Sequence, residues 1–214
     1  MNKFTNIVLN LIQTILLSLF IILSSIYITI NFKQLYYYSI DHFNIEQFSN
    51  INKHEIKLNY DYTINYLTSN RNINFNLPTL PYSYVGKLHF EEVKALIITS
   101  KKILYITLFI LILLNIFLKK HTNFLFLKLT YRSLILFCFL LFGSFLLNFD
   151  KSFTFFHNIF FNNDYWIFNE KTDPIINILP QEFFCICAFF ILFLIILNCI
   201  VLMIIHKKIS SDVS

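Results

Sequence analysis

The chain contains four long apolar runs without charged residues, separated by stretches that are polar or rich in aromatic residues. The runs cover residues 7–30, 103–118, 133–149 and 183–205. An α-helix rises about 1.5 Å per residue, and the hydrocarbon core of a bilayer is about 30 Å thick. The first run is therefore long enough to cross a membrane. Residues 95–99 can extend the shorter second run, because Lys101 and Lys102 can snorkel. This pattern predicts an all-α membrane protein with four transmembrane helices.

Lysine and arginine are distributed unevenly around these runs. The terminal stretches and residues 119–132 together hold seven basic residues and one acidic residue, whereas residues 31–102 and 150–182 hold ten basic and eleven acidic residues. The positive-inside rule therefore predicts that both termini are cytoplasmic. The two longer connecting segments then lie on the outer face of the membrane, where they are predicted to build an extracellular cap together.

The segments between the runs suggest how the chain is organised. The first run is too long for a cleaved signal peptide, so we expect an uncleaved anchor. The segment that follows is too long for a plain connector, so it is predicted to fold as an extracellular cap. Its stretch 56–66 alternates as a strand does but also fits a helix face, and periodicity leaves both open. The predicted divisions are helix 1 with a short cytoplasmic N-terminus over 1–30, the cap over 31–94, helices 2 and 3 over 95–149 with a basic cytoplasmic loop over 119–132, an aromatic-rich extracellular loop over 150–182, and helix 4 with the cytoplasmic C-terminus over 183–214.

Composition narrows the classes of function. Hydrophobic residues make up 57% of the chain, charged residues make up 14%, and the mean hydropathy is +0.63. An ordinary soluble domain is about 25% charged. These values exclude a disordered chain, a nucleic-acid-binding domain and a small secreted domain held by disulfides. All four cysteines fall inside helices 3 and 4, so the outer segments have no disulfide framework.

Two of the six histidines lie among apolar residues in the predicted outer segments. His89 is near the start of a helix that leads into the second run, and His157 lies between Phe156 and Phe160. Two imidazoles that converge at the outer surface can act as general base and general acid near neutral pH. Glu92 shares a helix face with His89, so it can orient or charge that imidazole.

Two other interpretations of these residues stay open. The first is a His-His-carboxylate metal site, as in a metal-dependent lipid hydrolase. Its ligands would be His89, Glu92 and His157 with Asp164 or Asp173. Alternatively, the aromatic loop is only an interfacial belt of a non-catalytic membrane subunit or anchor. The sequence contains no G-x-S-x-G motif and no Gly-rich phosphate loop, so neither a serine nucleophile nor a nucleotide cofactor is predicted.

Two motifs resemble those of the lipoprotein intramolecular transacylase family of Gram-positive bacteria. The segment 155–184 has a Phe-His pair, a Phe-Phe, a Trp-x-Phe, an Asp-Pro, a Pro and a final Phe-Phe in the order of the family. The segment 88–96 has a His followed by an acid and Val. Gly86 departs from the family pattern, which has an acidic residue there, and Glu92 stands where Asp is usual. The matching residues are Phe156, His157, Phe160, Phe161, Trp166, Phe168, Asp173, Pro174, Pro180, Phe183 and Phe184 in the first segment and His89, Glu92 and Val93 in the second.

The resemblance implies an acyltransferase that moves the sn-2 acyl chain of a diacylglyceryl-cysteine lipoprotein onto the α-amino group of that cysteine, giving a lyso-form lipoprotein. It implies His89 and His157 as the acid-base pair, with either assignment of roles, and Glu92 and Asp173 as supporting residues. It also implies a monomer in the bacterial cell membrane, with the active site at the outer face, diacylglyceryl lipoproteins and membrane lipids as partners, no nucleic acid, and no cofactor or metal. The implied substrate pocket comprises Tyr84, Phe156, Phe160, Phe161, Trp166 and Phe168.

Overall fold

The computed structural model describes residues 3–118 and 124–213, and every regular element within these ranges is a helix. The four longest helices, α1, α5, α6 and α9, are long and apolar enough to cross a membrane. These findings confirm the prediction of an all-α membrane protein with four transmembrane helices. The described helices are α1 (Lys3–Asn31), α2 (Lys33–His42), α3 (Ile45–Ser49), α4 (Lys53–Thr68), α5 (Tyr84–Leu118), α6 (Leu125–Leu147), α7 (Phe149–Phe160), α8 (Ile175–Ile178) and α9 (Gln181–Val213).

The chain forms two compact units. The first unit combines residues 1–27, 101–144 and 189–214, and the second combines residues 28–100 and 145–188. The first unit contains most of each apolar run. The second unit contains both of the histidines that the sequence singles out.

Polar side chains of the first unit bond to backbone groups of helices. Thr107 Oγ1 donates a hydrogen bond to the Ile103 carbonyl one turn earlier, at 2.7 Å. Asn10 reaches a second helix, because its Oδ1 accepts a hydrogen bond from the Phe126 amide at 3.0 Å. The first amides of a helix have no partner within that helix. Asn10 therefore satisfies one of these amides at the start of α6.

Helix α6 begins inside the segment 119–132, which was predicted to be a loop. Its first residue is Leu125, so Lys128 and Arg132 lie on its first turns. Phe126 and Leu127 are buried there, and this apolar packing lengthens the helix beyond the uncharged run. Lys119, Lys120 and His121 of the predicted loop lie outside the described residues.

The second unit has a hydrophobic core of its own. Tyr36 of α2 stacks on Tyr60 of α4 with ring centroids 3.7 Å apart. Phe183, at the start of α9, meets both rings edge-on. The Tyr36 hydroxyl donates a hydrogen bond to the Ile178 carbonyl of α8, and burial raises the pKa of Tyr36 well above its usual value. The hydroxyl therefore stays protonated and ties α2 to α8.

The stretch 56–66, which periodicity left open between strand and helix, is helical. It lies within α4, whose N-terminus is capped by Asn52. The Asn52 Oδ1 accepts a hydrogen bond from the Glu55 amide at 2.9 Å, as is typical of a helix start. Ile56, Tyr60 and Ile64 repeat every four residues and are buried on one face. The helical period therefore prevails over the strand-like alternation, because it places this face on the core.

Much of the segment 150–182, which was predicted to be a loop, is helical as well. Helix α7 starts after Asn148, whose side chain accepts a hydrogen bond from the Lys151 amide at 2.8 Å. Its apolar residues lie on one broad face, and several of them are exposed while His157 is buried. This helix thus directs His157 into the second unit. The exposed apolar side chains are Phe155, Phe156, Ile159 and Phe160.

Candidate active site

The structure brings the two histidines of the second unit together. His89 lies in the second turn of α5, and His157 lies in the third turn of α7. Both side chains are buried, at 7% and 8% exposure. Their ring centroids are 6.1 Å apart, with an angle of 35° between the ring planes. The sequence predicted this convergence from two segments that are far apart along the chain.

One ring nitrogen of His157 is engaged by the helix that carries it. Its Nδ1 lies 2.8 Å from the Phe153 carbonyl oxygen, one turn earlier in α7. A carbonyl oxygen only accepts hydrogen bonds, so Nδ1 carries the proton and donates it. In the neutral ring the other nitrogen, Nε2, then has a free lone pair. His157 is thereby held in the form that can accept a proton at Nε2.

The protonation of His157 follows from its burial. Burial lowers the pKa of His157 below its usual value, and the hydrogen bond to the Phe153 carbonyl opposes this effect in part. The ring is therefore neutral at neutral pH. A neutral imidazole is the form that a general base requires.

Aromatic side chains enclose both imidazoles. Trp166 stacks on His157 with ring centroids 4.5 Å apart and an angle of 28° between the planes. The ring centroid of Phe161 lies 5.0 Å from that of His89 and 5.8 Å from that of His157. The ring centroid of Phe168 lies 5.5 Å from that of His89. These rings exclude water and make a medium of low polarity. Electrostatic interactions are stronger in such a medium than in water.

The remaining residues of the predicted pocket lie at different distances from the pair. Phe156 meets His157 edge-on, with centroids 5.4 Å apart. Phe160 contacts Phe156 at 4.8 Å and is half exposed. Tyr84 is in the first turn of α5 and its side chain is 75% exposed. Phe156 therefore belongs to the immediate wall, whereas Phe160 and Tyr84 are peripheral in this conformation.

Asp173 is placed at the start of the helix that carries His89. It is 3% exposed, and its Oδ1 accepts a hydrogen bond from the Ser83 amide at 2.7 Å. Its Oδ2 accepts a hydrogen bond from the Thr172 hydroxyl at 2.6 Å. A carboxylate at the N-terminus of a helix is stabilised by the helix dipole. Asp173 thus joins the segment after α7 to the first turn of α5.

Gly86 provides the space that Asp173 occupies. A Cβ atom added at Gly86 would lie 2.2 Å from Asp173 Oδ1 and 3.3 Å from Ser83 Oγ. Such a distance is far below van der Waals contact, so no larger residue fits while Asp173 stays in place. The carboxylate at this position therefore comes from another segment of the chain rather than from residue 86.

Glu92 is placed one turn beyond His89 on α5 and makes a second link. Its Oε1 accepts a hydrogen bond from Asn163 Nδ2 at 2.8 Å. Asn163 Oδ1 in turn accepts a hydrogen bond from the Tyr165 amide at 3.0 Å. Asn163 therefore connects α5 to the turn that carries Trp166. No signal in the sequence distinguished Asn163 from its neighbours. The contact between Phe153 and His157, by contrast, could have been predicted, because the two residues are four positions apart on a helix.

Three buried polar atoms of the site have no hydrogen-bond partner among the described residues. They are His89 Nδ1, Glu92 Oε2 and Trp166 Nε1. The set combines a titratable nitrogen, an acceptor and a donor. Buried polar groups in folded proteins are normally paired, so an unpaired set in a site is suited to a polar ligand.

The metal-site interpretation has no ligand set in residues 3–118 and 124–213. Within these ranges no three side chains of His, Cys, Asp or Glu come together as a metal ion would require. The carboxylate of Asp173 is bound to Ser83 and Thr172. The side chain of Asp164 is exposed.

The chain is similar to known proteins both in sequence family and in structure. The model of the lipoprotein intramolecular transacylase Lit family matches residues 11–184. A search of curated proteins gave no match. The structure is similar to that of the membrane-integral lipoprotein intramolecular transacylase Lit from Bacillus cereus, with a TM-score of 0.94 and 33% identity over 99% of this chain and 98% of that chain. Two structures of that protein with a histidine mutated to arginine or alanine are also similar, each with a TM-score of 0.87 and 33% identity, over 97% of this chain and 93% and 94% of theirs.

Proposed function

The chain belongs to the lipoprotein intramolecular transacylase family, and we propose that His157 and His89 carry out its acyl transfer as base and acid. The substrate is a diacylglyceryl-modified lipoprotein, whose N-terminal cysteine carries on its sulfur a glyceryl group with two ester-linked acyl chains. The enzyme moves the sn-2 chain onto the α-amino group of the same cysteine. The single observation that carries this assignment of roles is the hydrogen bond from His157 Nδ1 to the Phe153 carbonyl.

His157 acts as the base in the first step. The neutral amine attacks the carbonyl carbon of the ester, and a C–N bond forms as the amine loses a proton. The free Nε2 of His157 accepts that proton, because Nδ1–H is held by the backbone. The result is a tetrahedral intermediate with negative charge on the former carbonyl oxygen.

His89 acts as the acid in the second step. The C–O bond of the ester breaks, and the glycerol oxygen leaves as an alkoxide that needs a proton. Burial, and then the neighbouring His157, lower the pKa of His89 to about 4, so its ring is neutral. It donates its N–H proton to the alkoxide as it accepts the proton held by His157. One proton has then moved from the amine to the alkoxide, so both imidazoles end as they began. Neither a covalent enzyme intermediate nor a second substrate enters this sequence.

Proximity supplies much of the rate enhancement in this scheme. The amine and the ester belong to one molecule, so the enzyme must hold them in an attack geometry rather than collect them from solution. Asp173 and Glu92 are positioning residues here, because each joins α5 to the segment of α7 and Trp166. The aromatic wall of Phe156, Phe161, Trp166 and Phe168 forms the pocket, with Phe160 and Tyr84 at its entrance.

The protein is proposed to work as a monomer in the bacterial cell membrane, with cytoplasmic termini and its site at the outer face. The distribution of lysine and arginine supports this orientation. The uneven charge of the connecting segments makes the alternative orientation unfavourable. This orientation is tested by fusing to the C-terminus a reporter enzyme that is active on only one side of the membrane. Activity of a reporter that functions only outside the cell would contradict the orientation.

The proposed reaction is tested with the purified protein and a synthetic diacylglyceryl-cysteine peptide that carries a deuterated sn-2 chain. Substrate and product have the same mass, so tandem mass spectrometry must locate the labelled chain. Transfer places it on the α-amino group and blocks that amine to acylating reagents. A lipid hydrolase would instead release the labelled fatty acid, and a non-catalytic subunit would leave the peptide unchanged.

A further inference from the structure

The indole N–H of Trp166 is a buried donor without an acceptor. The Nε1 atom is inaccessible to solvent and has no hydrogen-bond partner among the described residues. A tryptophan N–H normally finds a partner when it is buried. An unpaired buried donor is destabilising, and its presence in a site calls for an acceptor supplied by the substrate.

Trp166 is fixed in place by its surroundings. Its ring stacks on His157 at 4.5 Å and meets Phe153 edge-on at 6.5 Å. The turn that carries it is held by a hydrogen bond from the Tyr165 amide to Asn163 Oδ1, at 3.0 Å. The N–H group is therefore oriented before a substrate binds. Fixed donors of this kind stabilise a developing charge without the cost of reorganisation.

The proposed reaction creates one charge that the two histidines do not neutralise. They move a proton between the amine and the leaving oxygen, whereas the carbonyl oxygen of the ester becomes negative in the tetrahedral intermediate. The rings of Phe153, Phe161 and Phe168 carry no donor. The amide of Asn163 is already bound to Glu92. Trp166 Nε1 is the donor beside His157 that has no other partner among the described residues.

We propose that Trp166 Nε1–H donates a hydrogen bond to the carbonyl oxygen of the sn-2 ester and stabilises the negative charge on that oxygen in the tetrahedral intermediate. This inference rests on the acyl transfer proposed above. The indole keeps its proton throughout, so it takes no part in the proton transfers. Its stack on His157 places the charge-stabilising donor and the base side by side.

The composition of the chain allows a clean test. Trp166 is the only tryptophan, so growth in a tryptophan auxotroph with benzothienylalanine replaces this side chain alone. The analogue has nearly the shape of indole, but sulfur replaces the N–H. The stack on His157 is kept and only the donor is lost. Trp166→Phe provides a second variant that keeps an aromatic ring without the donor.

The expected result is a loss of catalysis without a loss of stability. The kcat of the analogue-containing enzyme should fall about 10²–10³-fold, while KM changes little, as for loss of one oxyanion donor. A phosphonate analogue of the tetrahedral intermediate should bind more weakly by a similar factor, whereas the binding of the product should not change. The temperature of unfolding should stay at that of the unmodified protein, because the N–H has no protein partner to lose.

Two results separate the failure of this inference from that of the proposed function. If the unmodified enzyme transfers the acyl chain and the analogue-containing enzyme does so with the same kcat, Trp166 is not the donor. If kcat falls only together with the temperature of unfolding, Trp166 has a structural role and the inference is wrong. If the unmodified enzyme transfers no acyl chain, the proposed function itself fails.

Discussion

Asp173 lies against the backbone of Gly86, so close that a Cβ at position 86 would be 2.2 Å from the Asp173 Oδ1 atom. This contact joins two segments that are distant in the sequence, at the start of the helix that carries His89. The position of His89 relative to His157 therefore depends on a glycine that has no functional group. The stability and the activity of the enzyme should both respond to a change there.

Replacement of Gly86 by alanine should displace the Asp173 carboxylate from the Ser83 amide. We expect a lower temperature of unfolding and a fall in kcat on the order of 10²-fold, since small displacements of reacting groups have effects of that size. Thermal unfolding in detergent and the acyl-transfer assay measure the two effects. Gly143→Ala is the matched control, because its Cβ would meet nothing within 4 Å. Equal behaviour of both variants would show that the contact is unimportant.

Replacement of Asp173 by alanine should destabilise the protein through loss of the cap on α5. Loss of a capping side chain lowers the free energy of unfolding by about 0.5–2 kcal/mol. Asp173→Asn should have a smaller effect, because an amide oxygen can still accept from the Ser83 amide. Asp164→Asn serves as the control, since that side chain is exposed. Chemical unfolding followed by circular dichroism ranks the stabilities of the three variants. The capping role would be contradicted if Asp173→Ala were not the least stable of them.

The link between Glu92 and Asn163 should contribute to both stability and activity. Asn163→Ala leaves Oε1 of Glu92 without its donor, and an unsatisfied polar group costs about 1–3 kcal/mol when it is buried. The adjacent Asn162 is exposed, so Asn162→Ala should leave unfolding and kcat unchanged. A comparison of the two variants in thermal unfolding and acyl transfer checks this. Identical results would mean that Asn163 does not position α5.

The activity should decrease at acidic pH because His157 must be neutral to act as a base. Its folded-state pKa lies below the usual value of about 6.5, so kcat should be constant above that value and fall as pH drops through the folded pKa. The unfolded chain binds the proton more tightly, so the free energy of unfolding should also decrease below about pH 6.5. A kcat that rises on acidification would contradict the role of His157.

Trp166 offers an independent probe of the same titration. It stacks on His157, and an imidazolium quenches an adjacent indole more strongly than a neutral imidazole does. The fluorescence of the substrate-free enzyme should therefore fall over the same pH range as kcat. His157→Gln should abolish this dependence, whereas His54→Gln, at an exposed position, should keep it. A pH-dependent fluorescence in the His157 variant would assign the titration to another group.

The long-range pattern of the sequence predicted the membrane-spanning part of the fold well. Runs without charge over about 20 residues have few structural alternatives in a membrane. The helix within the segment 150–182 was not predicted, although the apolar residues of α7 lie on one face at the helical period. Phe153, His157 and Phe161 do repeat every four residues, and this repeat was the available sign of the helix.

The candidate site could be predicted only in part. Histidines are few, so His89 and His157 could be singled out by their apolar neighbours, and the structure places their rings together. The links of Asp173 to Ser83 and of Asn163 to Glu92 span about 90 and 71 positions. Such contacts depend on how the helices pack, which local periodicity does not encode. The tautomer of His157 likewise became evident only from its hydrogen bond to Phe153.

The two-histidine mechanism is tested most directly by the acyl-transfer assay on His89→Ala and His157→Ala. Each variant is purified, its folding is checked by thermal unfolding, and the position of the labelled sn-2 chain is followed by tandem mass spectrometry. Loss of a general acid or base lowers rates about 10²–10⁴-fold, so both variants should leave the labelled chain on glycerol while His54→Ala transfers it normally. Transfer at the wild-type rate by either folded alanine variant would contradict the mechanism.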